Sequence, residues 1–343
     1  MTQRRRWKQL GGATCGSFLL MDNITILVLA EPTEPRLAML EELPEETSIA
    51  VGNSAEAFVR AAPDATVIFN WSLSADLQRE VFRMCPKVEW VHSRSAGLDG
   101  LLFPELVESP ARLTNASGIF SQSLGEFVVA AILYFAKDLR HMIRNQAAGV
   151  WEPFDIVEVR GQTVGIVGYG DIGHAVAARV RALGMRVLAA KRHRPPADEA
   201  DPLAERIYGP EELGKMISQS DYVVAAAPLT PETLGLIGEP EFAAMKPDAV
   251  AINVGRGPVI QEAALVKALS EKRIKGAALD VFDTEPLPQG HPFYKLENVL
   301  LSPHCADHTA DWLDQAMRFF LEQFERFRKG EPLKNVVDKK LGY

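Results

Sequence analysis

The segment from Thr163 to Arg192 constrains the fold of this chain more than any other. It reads TVGIVGYGDIGHAVAARVRALGMRVLAAKR, an apolar run, a G-x-G-x-x-G loop, an alanine-rich stretch with helical periodicity and a second apolar run. This order is typical of a strand–turn–helix–strand unit that binds the pyrophosphate of a dinucleotide. Gly168 permits the tight turn, Gly170 lets the backbone approach the phosphates, and Gly173 lets the helix pack against the strand.

A helix that begins at such a loop directs unpaired N–H groups and a partial positive charge towards a bound anion. The loop is therefore the first candidate for dinucleotide binding, and the alternative is an ordinary glycine turn of an α/β domain. We predict cofactor contacts for the whole loop, which comprises Gly168, Tyr169, Gly170, Asp171, Ile172 and Gly173.

The bulk properties disfavour several classes of function. The 343 residues suggest two domains, and a net charge of −8 makes nucleic acid or an anionic membrane an unsuitable partner. No apolar run reaches the roughly 18 residues that a membrane span needs. The three cysteines, Cys15, Cys85 and Cys305, are too widely spaced for a zinc site or a disulfide framework, so we expect a cytoplasmic protein without a bound metal.

The first 21 residues differ in composition from the rest of the chain. They contain four basic side chains between positions 4 and 8 and no acidic residue. A transit peptide or a twin-arginine signal would be basic in this way, but the apolar stretch that follows is short and interrupted by glycine. A strand-like run begins just after Met21, so we predict that residues 1–21 are a disordered extension or precede the true start.

Strand-like and helix-like runs alternate along the chain, which is typical of parallel sheets covered by helices. The first series has strands at 24–30, 48–51, 66–69 and 88–92, with helical patterns at 55–62 and 75–84. The second has strands at 163–167, 187–190, 222–226, 249–254, 277–278 and 299–301, with helices at 172–183, 211–218, 239–245 and 262–270. Longer helical patterns at 121–146 and 309–329 frame the second series, and the polar stretch at 333–343 is expected to fray.

Four segments with chemically useful side chains each follow a predicted strand of the second series. Ligands of open α/β sheets bind at the carboxyl ends of the strands, so these segments are predicted to meet beside the glycine loop. They are Ala-Pro-Leu-Thr at 227–230, Asn-Val-Gly-Arg-Gly at 253–257, Leu-Asp-Val-Phe-Asp-Thr-Glu-Pro at 279–286 and Ser-Pro-His at 302–304.

With these motifs in this order, the chain resembles the D-isomer-specific 2-hydroxyacid dehydrogenases, strongly from about residue 90 to 310 and in outline elsewhere. The resemblance implies an α/β fold of two Rossmann-like domains with doubly wound parallel sheets. It implies a flavodoxin-like substrate domain built from residues 22–120 plus 307–343, and a dinucleotide-binding domain at 121–306. It also implies a homodimer formed through the dinucleotide-binding domain.

Reduction of a 2-keto acid needs a cation for the carboxylate and a proton donor for the carbonyl oxygen. Arg256 suits the carboxylate because its planar fork can bind it bidentately. His304 suits the proton donor because an imidazole titrates near neutral pH, and Glu285 suits an orienting partner that stabilises the charged ring. The resemblance assigns the same roles to these residues, whereas a surface ion pair, a strand-end hydrogen bond and a solvated acid are the structural alternatives.

The resemblance also implies contacts around this centre. Asp280 is expected beside the nicotinamide carboxamide, and Pro228 and Thr230 beside the ribose or pyrophosphate, although capping or turn chemistry alone would also explain these three. Backbone N–H groups of a loop with small residues are expected to hold the substrate carboxylate. That loop comprises Ser95, Ala96 and Gly97, and further cofactor contacts are expected from Val254, Gly255, Arg256 and His304.

The basic run after the second strand of the dinucleotide unit bears on the choice of cofactor. An acid at this position binds the adenosine ribose of NAD, but here the residue eighteen positions beyond Gly173 is Lys191, followed by Arg192, His193 and Arg194. Such a cluster attracts a 2′-phosphate. We therefore predict a preference for NADP(H), with Arg192 as the main contact supported by Lys191 and Arg194. NAD(H) is the alternative if the basic loop is merely solvated.

One residue departs from the family pattern, and it leaves the substrate open. Asp307 stands where the family often has glycine, and it places a carboxylate near the cleft. The sequence predicts reduction of a small 2-keto acid, glyoxylate or hydroxypyruvate, to the D-2-hydroxy acid. The alternatives are oxidation of a 2-hydroxy acid, as in phosphoglycerate dehydrogenases, and a non-enzymatic dinucleotide-sensing protein that binds partners, like the C-terminal binding protein corepressors.

Overall fold

The computed structural model describes residues 23–193 and 201–343. The first part of this chain forms a sheet of five parallel strands. Helices α1 (Ala75–Arg83) and α2 (Pro104–Glu108) lie between its later strands. The spatial order of the strands is β2-β1-β3-β4-β5. They are β1 (Thr25–Leu29), β2 (Ser48–Gly52), β3 (Val67–Asn70), β4 (Trp90–Ser93) and β5 (Arg112–Thr114).

Two predictions for this region are corrected by the structure. The sequence does not predict β5, because its three residues, Arg-Leu-Thr, show no apolar run. The helix predicted at 55–62 is wrong, since the chain forms two short 3-10 turns there, Ala55–Phe58 and Ala62–Asp64. Pro63 has no backbone N–H and its ring clashes with a preceding helical turn, so an α-helix does not continue through it.

The single helix predicted at 121–146 is divided into α3 (Ser121–Ala136) and α4 (Leu139–Ala148). Asp138 separates the two helices with a positive φ of 46°. Its carboxylate also accepts a hydrogen bond of 3.3 Å from the backbone N–H of His141. A left-handed residue ends one helix and the same residue caps the next, so the chain changes direction here.

A second sheet of seven parallel strands follows. Its order is β12-β11-β10-β9-β6-β7-β8, and helices α5 (Asp171–Ala182), α6 (Leu213–Gln219), α7 (Glu239–Ala244) and α8 (Glu262–Ser270) cover it. The order reverses between β6 and β9, which is the switch point where doubly wound sheets bind ligands. The strands are β6 (Thr163–Val167), β7 (Arg186–Ala190), β8 (Arg206–Tyr208), β9 (Tyr222–Ala225), β10 (Val250–Asn253), β11 (Gly276–Leu279) and β12 (Val299–Leu301).

The predicted α/β class with two parallel sheets is confirmed, with one strand more in each sheet than the sequence predicts. In the second sheet the additional strand is the edge strand β8, whose first residue is the exposed Arg206. A short edge strand needs no continuous apolar run, because one of its sides lacks a neighbouring strand. The interior strands β6, β9, β10 and β11 are buried along their whole length, which explains why their apolar runs are continuous.

The long helix α9 (Trp312–Arg328) returns the chain to the first sheet. The ring of Phe320 stacks on Phe69 of β3 at a centroid distance of 3.9 Å and lies 5.4 Å from the ring of Trp90 on β4. We refer to the first sheet with α1, α2, α9 and the residues after α9 as the first unit. The second unit comprises α3 to α8 and the second sheet.

The tail at 333–343 does not fray, so that prediction is wrong. The N–H of Val337 donates to the carbonyl of Leu113 at 2.9 Å, next to an antiparallel bridge between Val336 and Thr114. The ammonium group of Lys339 donates to three carbonyl oxygens at the end of α2 and before β5, at 2.8, 2.6 and 2.8 Å. The tail is therefore held by polar groups, whose partners are distant in sequence and cannot be read from its composition.

Two further predictions lie outside the described residues, namely the extension at 1–21 and the cofactor contact of Arg194. Among the described residues, the structure contains no helix that is both long enough and apolar enough to cross a membrane. The domain boundaries at residues 120 and 307 stay predictions, although α9 and the tail pack with the first sheet as those boundaries require.

Candidate functional site

A cleft between the two units contains three adjoining cavities, which share Gly97 of the first unit and Arg256 of the second. We call them the large, middle and small cavities. The large cavity is bordered by the start of α5, the 226–229 loop and the tail. Its lining includes Gly170, Asp171, Ile172, Pro228, Gly255, Val336, Gly342 and Tyr343. The middle cavity is lined by residues that include Ser95, Glu285 and His304, and the small cavity by residues that include Ile172, Val254, Asp280, His304 and Asp307.

The glycine loop lies at the carboxyl end of β6 and leads into α5. Gly168 has a φ of 94°, and a Cβ there would lie 2.5 Å from the backbone nitrogen of Ala227, so this turn requires glycine. A Cβ on Gly173 would lie 2.6 Å from the carbonyl oxygen of Gly168, which agrees with the close packing expected of the third glycine.

The beginning of α5 is open to the large cavity. No side chain caps its first turn, and no atom lies within 4 Å of the position that a Cβ on Gly170 would take. Gly170, Asp171 and Ile172 all line this cavity. Unpaired N–H groups at a helix N-terminus that faces an open cavity fit the pyrophosphate of a dinucleotide.

The side chain of Tyr169 does not take part in this opening, so a cofactor contact of this residue would come from its backbone, and the contact stays a prediction. Its ring is buried and packs at 4.1 Å from the ring of His174. Its hydroxyl donates a hydrogen bond of 2.9 Å to Asp201, and burial raises the pKa of Tyr169. The ring fills the core below the loop, and only the backbone of Tyr169 belongs to the loop itself.

His304 and Glu285 form a hydrogen-bonded pair on the wall of the middle cavity. The carboxylate of Glu285 accepts from Nδ1 of His304 at 2.6 Å, which leaves Nε2 for a substrate atom. The second carboxylate oxygen of Glu285 accepts from the N–H of Phe282 at 2.9 Å, and the N–H of His304 donates to the carbonyl of Asp280 at 2.9 Å. Backbone contacts therefore orient both members of the pair, as a base and its orienting carboxylate require.

Arg256 reaches from the second unit to the first. Its guanidinium donates to the carbonyl of Gly255 at 2.8 Å and forms an ion pair with Asp99. A Cβ on Gly97 would overlap this guanidinium, so the first unit can accept the arginine only where a side chain is absent. Because the loop at 95–97 and Arg256 border the same cavities, an anion bound between them would meet both the guanidinium and the loop backbone.

Asp280 is buried at the end of β11. One of its carboxylate oxygens accepts from the hydroxyl of Ser302 at 2.5 Å and from the N–H groups of Cys305 and Ala306 at 3.0 and 3.1 Å. This oxygen therefore caps the turn that carries His304, which is the structural alternative considered for Asp280. Asp280 also lines the small cavity, so its contact with a carboxamide stays a prediction.

The remaining predicted contacts divide between cavity and core. Pro228 and Gly255 line the large cavity, Val254 lines the small one, and the loop of Ser95, Ala96 and Gly97 borders all three in different combinations. Thr230 is buried, and its hydroxyl lies 3.2 Å from that of Thr233. In the part of the chain that the structure describes, no group of three or more His, Cys, Asp or Glu side chains is arranged to hold a metal ion.

The basic side chains after β7 are only partly available to bind a phosphate. Lys191 is exposed, but the guanidinium of Arg192 is 2.8 Å from the carboxylate of Glu232 and 3.5 Å from the hydroxyl of Thr230. The ring of Tyr343 lies on the same guanidinium at 5.4 Å. Arg192 therefore already contacts three side chains at the position where a 2′-phosphate is expected.

Asp307 contributes a half-buried carboxylate to the small cavity. One of its oxygens is buried without a hydrogen bond, although it lies 3.7 Å from Nε2 of His308. Burial is the main reason that the pKa of Asp307 is raised, and the nearby Asp280 raises it further, while His308 opposes both. The residue that departs from the family pattern therefore lies inside the site and not on the outer surface.

Three contributors to the site were missed by sequence reasoning. Asp99 pairs with Arg256, Glu232 pairs with Arg192, and the tail residues Val336, Gly342 and Tyr343 border the large cavity. Asp99 lies two residues after the predicted loop at 95–97, but its partner lies 157 positions further along the chain. No local pattern marks the other two, because the contacts arise only when distant loops meet.

The chain matches the family described as "D-isomer specific 2-hydroxyacid dehydrogenase, NAD binding domain" over residues 129–306. It is also 34% identical over 275 residues to a glyoxylate reductase of Korarchaeum cryptofilum, an alignment that covers 78% of this chain and 82% of that relative.

Two solved structures have a similar fold. A D-isomer specific 2-hydroxyacid dehydrogenase of Xanthobacter autotrophicus Py2, in complex with NADPH and MES, gives a TM-score of 0.80 with 28% identity over 94% of this chain and 100% of that chain. An NADPH-dependent glyoxylate/hydroxypyruvate reductase of Sinorhizobium meliloti, in complex with NADP and sulfate, gives a TM-score of 0.78 with 25% identity over 93% of this chain and 100% of that chain.

The raised pKa of Asp307 predicts a pH-dependent effect of Asp307→Asn on stability. The folded state favours the protonated carboxyl, so the favourable contribution of this group is present at low pH and is lost as pH rises through the folded-state pKa. Asparagine stays neutral, and we expect Asp307→Asn to raise Tm at about pH 8 by more than at about pH 4. Thermal unfolding at both pH values, with the exposed Asp248→Asn as control, measures this. A shift in Tm that does not depend on pH would contradict the assignment.

Proposed function

Because the chain belongs to the D-isomer specific 2-hydroxyacid dehydrogenase family, we propose that it reduces a small 2-keto acid, of the glyoxylate or hydroxypyruvate class, to the D-2-hydroxy acid. The family assignment made from the motifs is confirmed, and the chain is an oxidoreductase. The observation that carries the proposal is that Arg256, Glu285 and His304 line one cavity. The names of the similar reductases support this substrate class.

Substrate binding is assigned to Arg256 and the loop at 95–97. The guanidinium neutralises the substrate carboxylate. Ala96 and Gly97 border the same cavity, and their backbone N–H groups are proposed to share the carboxylate, whereas the N–H of Ser95 donates to the hydroxyl of Ser93 at 3.2 Å. Asp99 holds the guanidinium from the first unit, so that the cation is oriented before the substrate arrives. The carbonyl group of the substrate then lies towards His304, on the wall of the same cavity.

Proton transfer is assigned to His304. In the direction of reduction, its protonated ring gives the Nε2 proton to the carbonyl oxygen as that oxygen gains negative charge. Glu285 accepts the hydrogen bond from Nδ1 and stabilises the charged ring before the transfer. A reduced nicotinamide, when bound, supplies the hydride for the carbonyl carbon. The neutral imidazole then regains a proton from solvent.

The variant His304→Ala tests this assignment together with the substrate class. Initial rates with glyoxylate, hydroxypyruvate, pyruvate and phenylpyruvate, each with NADPH and with NADH, should show turnover by the native protein. We expect His304→Ala to lower kcat by about 10²–10⁴-fold, the usual contribution of a general acid, with dinucleotide binding retained.

A matched control is available in the same unit. His291 forms another histidine–glutamate pair, 2.9 Å from Glu262, and it does not line the three cavities. His291→Ala should therefore keep its rate. Undiminished turnover by His304→Ala would remove its proposed role. Oxidation of 2-hydroxy acids alone would favour the dehydrogenase direction, and dinucleotide binding without turnover on any substrate would contradict the proposed reaction.

The cofactor is a nicotinamide dinucleotide, as the matched NAD-binding domain indicates, and we assign a preference for NADP(H). The support is the guanidinium of Arg192, which lies after β7 near the large cavity. Glu232 opposes this preference, because its carboxylate occupies Arg192 at 2.8 Å and must be displaced by a phosphate. A carboxylate at this place could also accept the ribose hydroxyls of NAD(H).

Two variants separate these roles. Arg192→Ala should raise the KM for NADPH by about 10-fold or more, the value of a lost charge-assisted hydrogen bond, with little change for NADH. Glu232→Gln should lower the KM for NADPH, since it removes the competing charge. Steady-state kinetics with both cofactors measures these effects. An increase in the KM for NADH in Glu232→Gln would instead identify Glu232 as a ribose ligand.

A homodimer formed through the second unit is part of the proposal. Its support is an exposed apolar surface on α4 and on the segment at 149–157, where Trp151 is 96% exposed. Large exposed apolar patches mark protein–protein contacts. The surface comprises Met142, Ile143, Val150, Trp151 and Ile156. A cytoplasmic location is also proposed, since Cys85 and Cys305 are both free thiols.

The variant Ile143→Glu tests the dimer. A charge placed on this surface should convert a dimer into a monomer, because an unpaired charge buried in an interface is costly. Mass measured by light scattering or sedimentation gives the state of association. Leu234→Glu places the same charge on an equally exposed leucine elsewhere in the second unit and should leave the mass unchanged. A monomeric native protein would contradict the proposal.

A further inference from the structure

The tail of the first unit reaches the part of the second unit where the adenosine end of the cofactor is expected. Gly342 and Tyr343 border the large cavity together with the start of α5 and the 226–229 loop. Their neighbours in the tail, Val336 and Val337, border it as well. The proposed cofactor site is thus closed on one side by a segment that belongs to the other unit.

The tail is fixed in this position by several independent contacts. Asn335 donates from its amide to the carbonyl of Ser117 at 2.7 Å, and Lys339 donates to three carbonyl groups near β5. A backbone oxygen of Tyr343 accepts from the N–H of Asp338 at 3.1 Å. The backbone of Tyr343 is therefore positioned by the anchored tail.

The ring of Tyr343 contacts Arg192, the main residue in the proposed cofactor preference. The guanidinium carbon of Arg192 lies 5.4 Å from the centre of the Tyr343 ring, within the range of a cation–π interaction. The guanidinium also pairs with Glu232 at 2.8 Å. Two different kinds of side chain therefore hold Arg192, one anionic and one neutral.

The two contacts respond differently to an incoming phosphate. Glu232 has the same sign of charge as the phosphate and must leave Arg192 when the phosphate binds. The ring of Tyr343 carries no charge, and it can stay against one face of the guanidinium while the N–H groups at the edge bind phosphate oxygens. Restricting a long side chain in advance reduces the entropy that binding would otherwise cost.

We propose that Tyr343 is a positioning residue for cofactor selection, which holds Arg192 ready for the 2′-phosphate of NADP(H). The inference rests on the proposed preference for NADP(H) and extends it to a residue of the first unit. Tyr343 acts on the phosphorylated cofactor only, because NAD(H) has no 2′-phosphate for Arg192 to bind.

Direct binding measurements test this role without reference to turnover. The dissociation constants of NADPH and NADH are measured by titration of the nicotinamide fluorescence, for the native protein and for Tyr343→Ala and Tyr343→Phe. We expect Tyr343→Ala to weaken NADPH binding by about two- to fivefold, the value of an exposed cation–π contact, and to leave NADH unchanged. Tyr343→Phe keeps the aromatic face and should bind NADPH as tightly as the native protein does.

Two controls make the result specific. Tyr294→Ala removes a tyrosine of similar exposure from a different surface, 56% exposed against 42% for Tyr343, and should change neither constant. In a protein that already carries Arg192→Ala, adding Tyr343→Ala should have no further effect on NADPH, since the tyrosine acts through the arginine.

The measured constants distinguish the positioning role of Tyr343 from the phosphate contact of Arg192. If Arg192→Ala reduces the preference for NADPH but Tyr343→Ala does not, the positioning role is overturned and the proposed phosphate contact stands. Equal weakening of NADPH and NADH by Tyr343→Ala also overturns it, because the tail would then act only on the shape of the cleft. If Arg192→Ala changes both cofactors equally, the phosphate contact itself is wrong, and the role of Tyr343 is overturned with it.

Discussion

The contact between Arg256 and the first unit is the interaction on which the whole site depends. The arginine belongs to the second unit, but its guanidinium lies against Gly97 and pairs with Asp99. Charge attraction draws the two units together at this point, and the missing side chain of the glycine provides the space. All three cavities border the contact, so the shape of the site follows from how the units meet.

The proposed acid–base pair lies entirely in the second unit, whereas residues of both units border the proposed substrate and cofactor sites. His304 and Glu285 lie on neighbouring strand ends and are oriented by backbone contacts within the second unit. The cradle at 95–97 and the tail with Tyr343 come from the first unit. The proposed proton donor therefore belongs to one unit, whereas the proposed selection of substrate and cofactor involves residues of both.

The elements that could be predicted from the sequence are those with a local cause. β6 begins and ends where its apolar run does, since a buried parallel strand is apolar on both faces. The elements that could not be predicted have partners far away in the chain. β5 shows no apolar pattern, the break at Asp138 needs a left-handed backbone that most residues avoid, and the tail is held by carbonyl groups more than 200 positions earlier.

The sequence by itself determined the two parallel sheets, the glycine turn before α5 and the set of Arg256, Glu285 and His304 at strand ends. These depend on residue type and spacing along the chain, which parallel α/β topology converts into position. Only the tertiary structure decided that Tyr169 is buried, that Asp307 faces the small cavity and that Arg192 lies between Glu232 and Tyr343. These features depend on contacts between segments that are far apart in sequence. Such side-chain contacts form only once folding has brought the segments together.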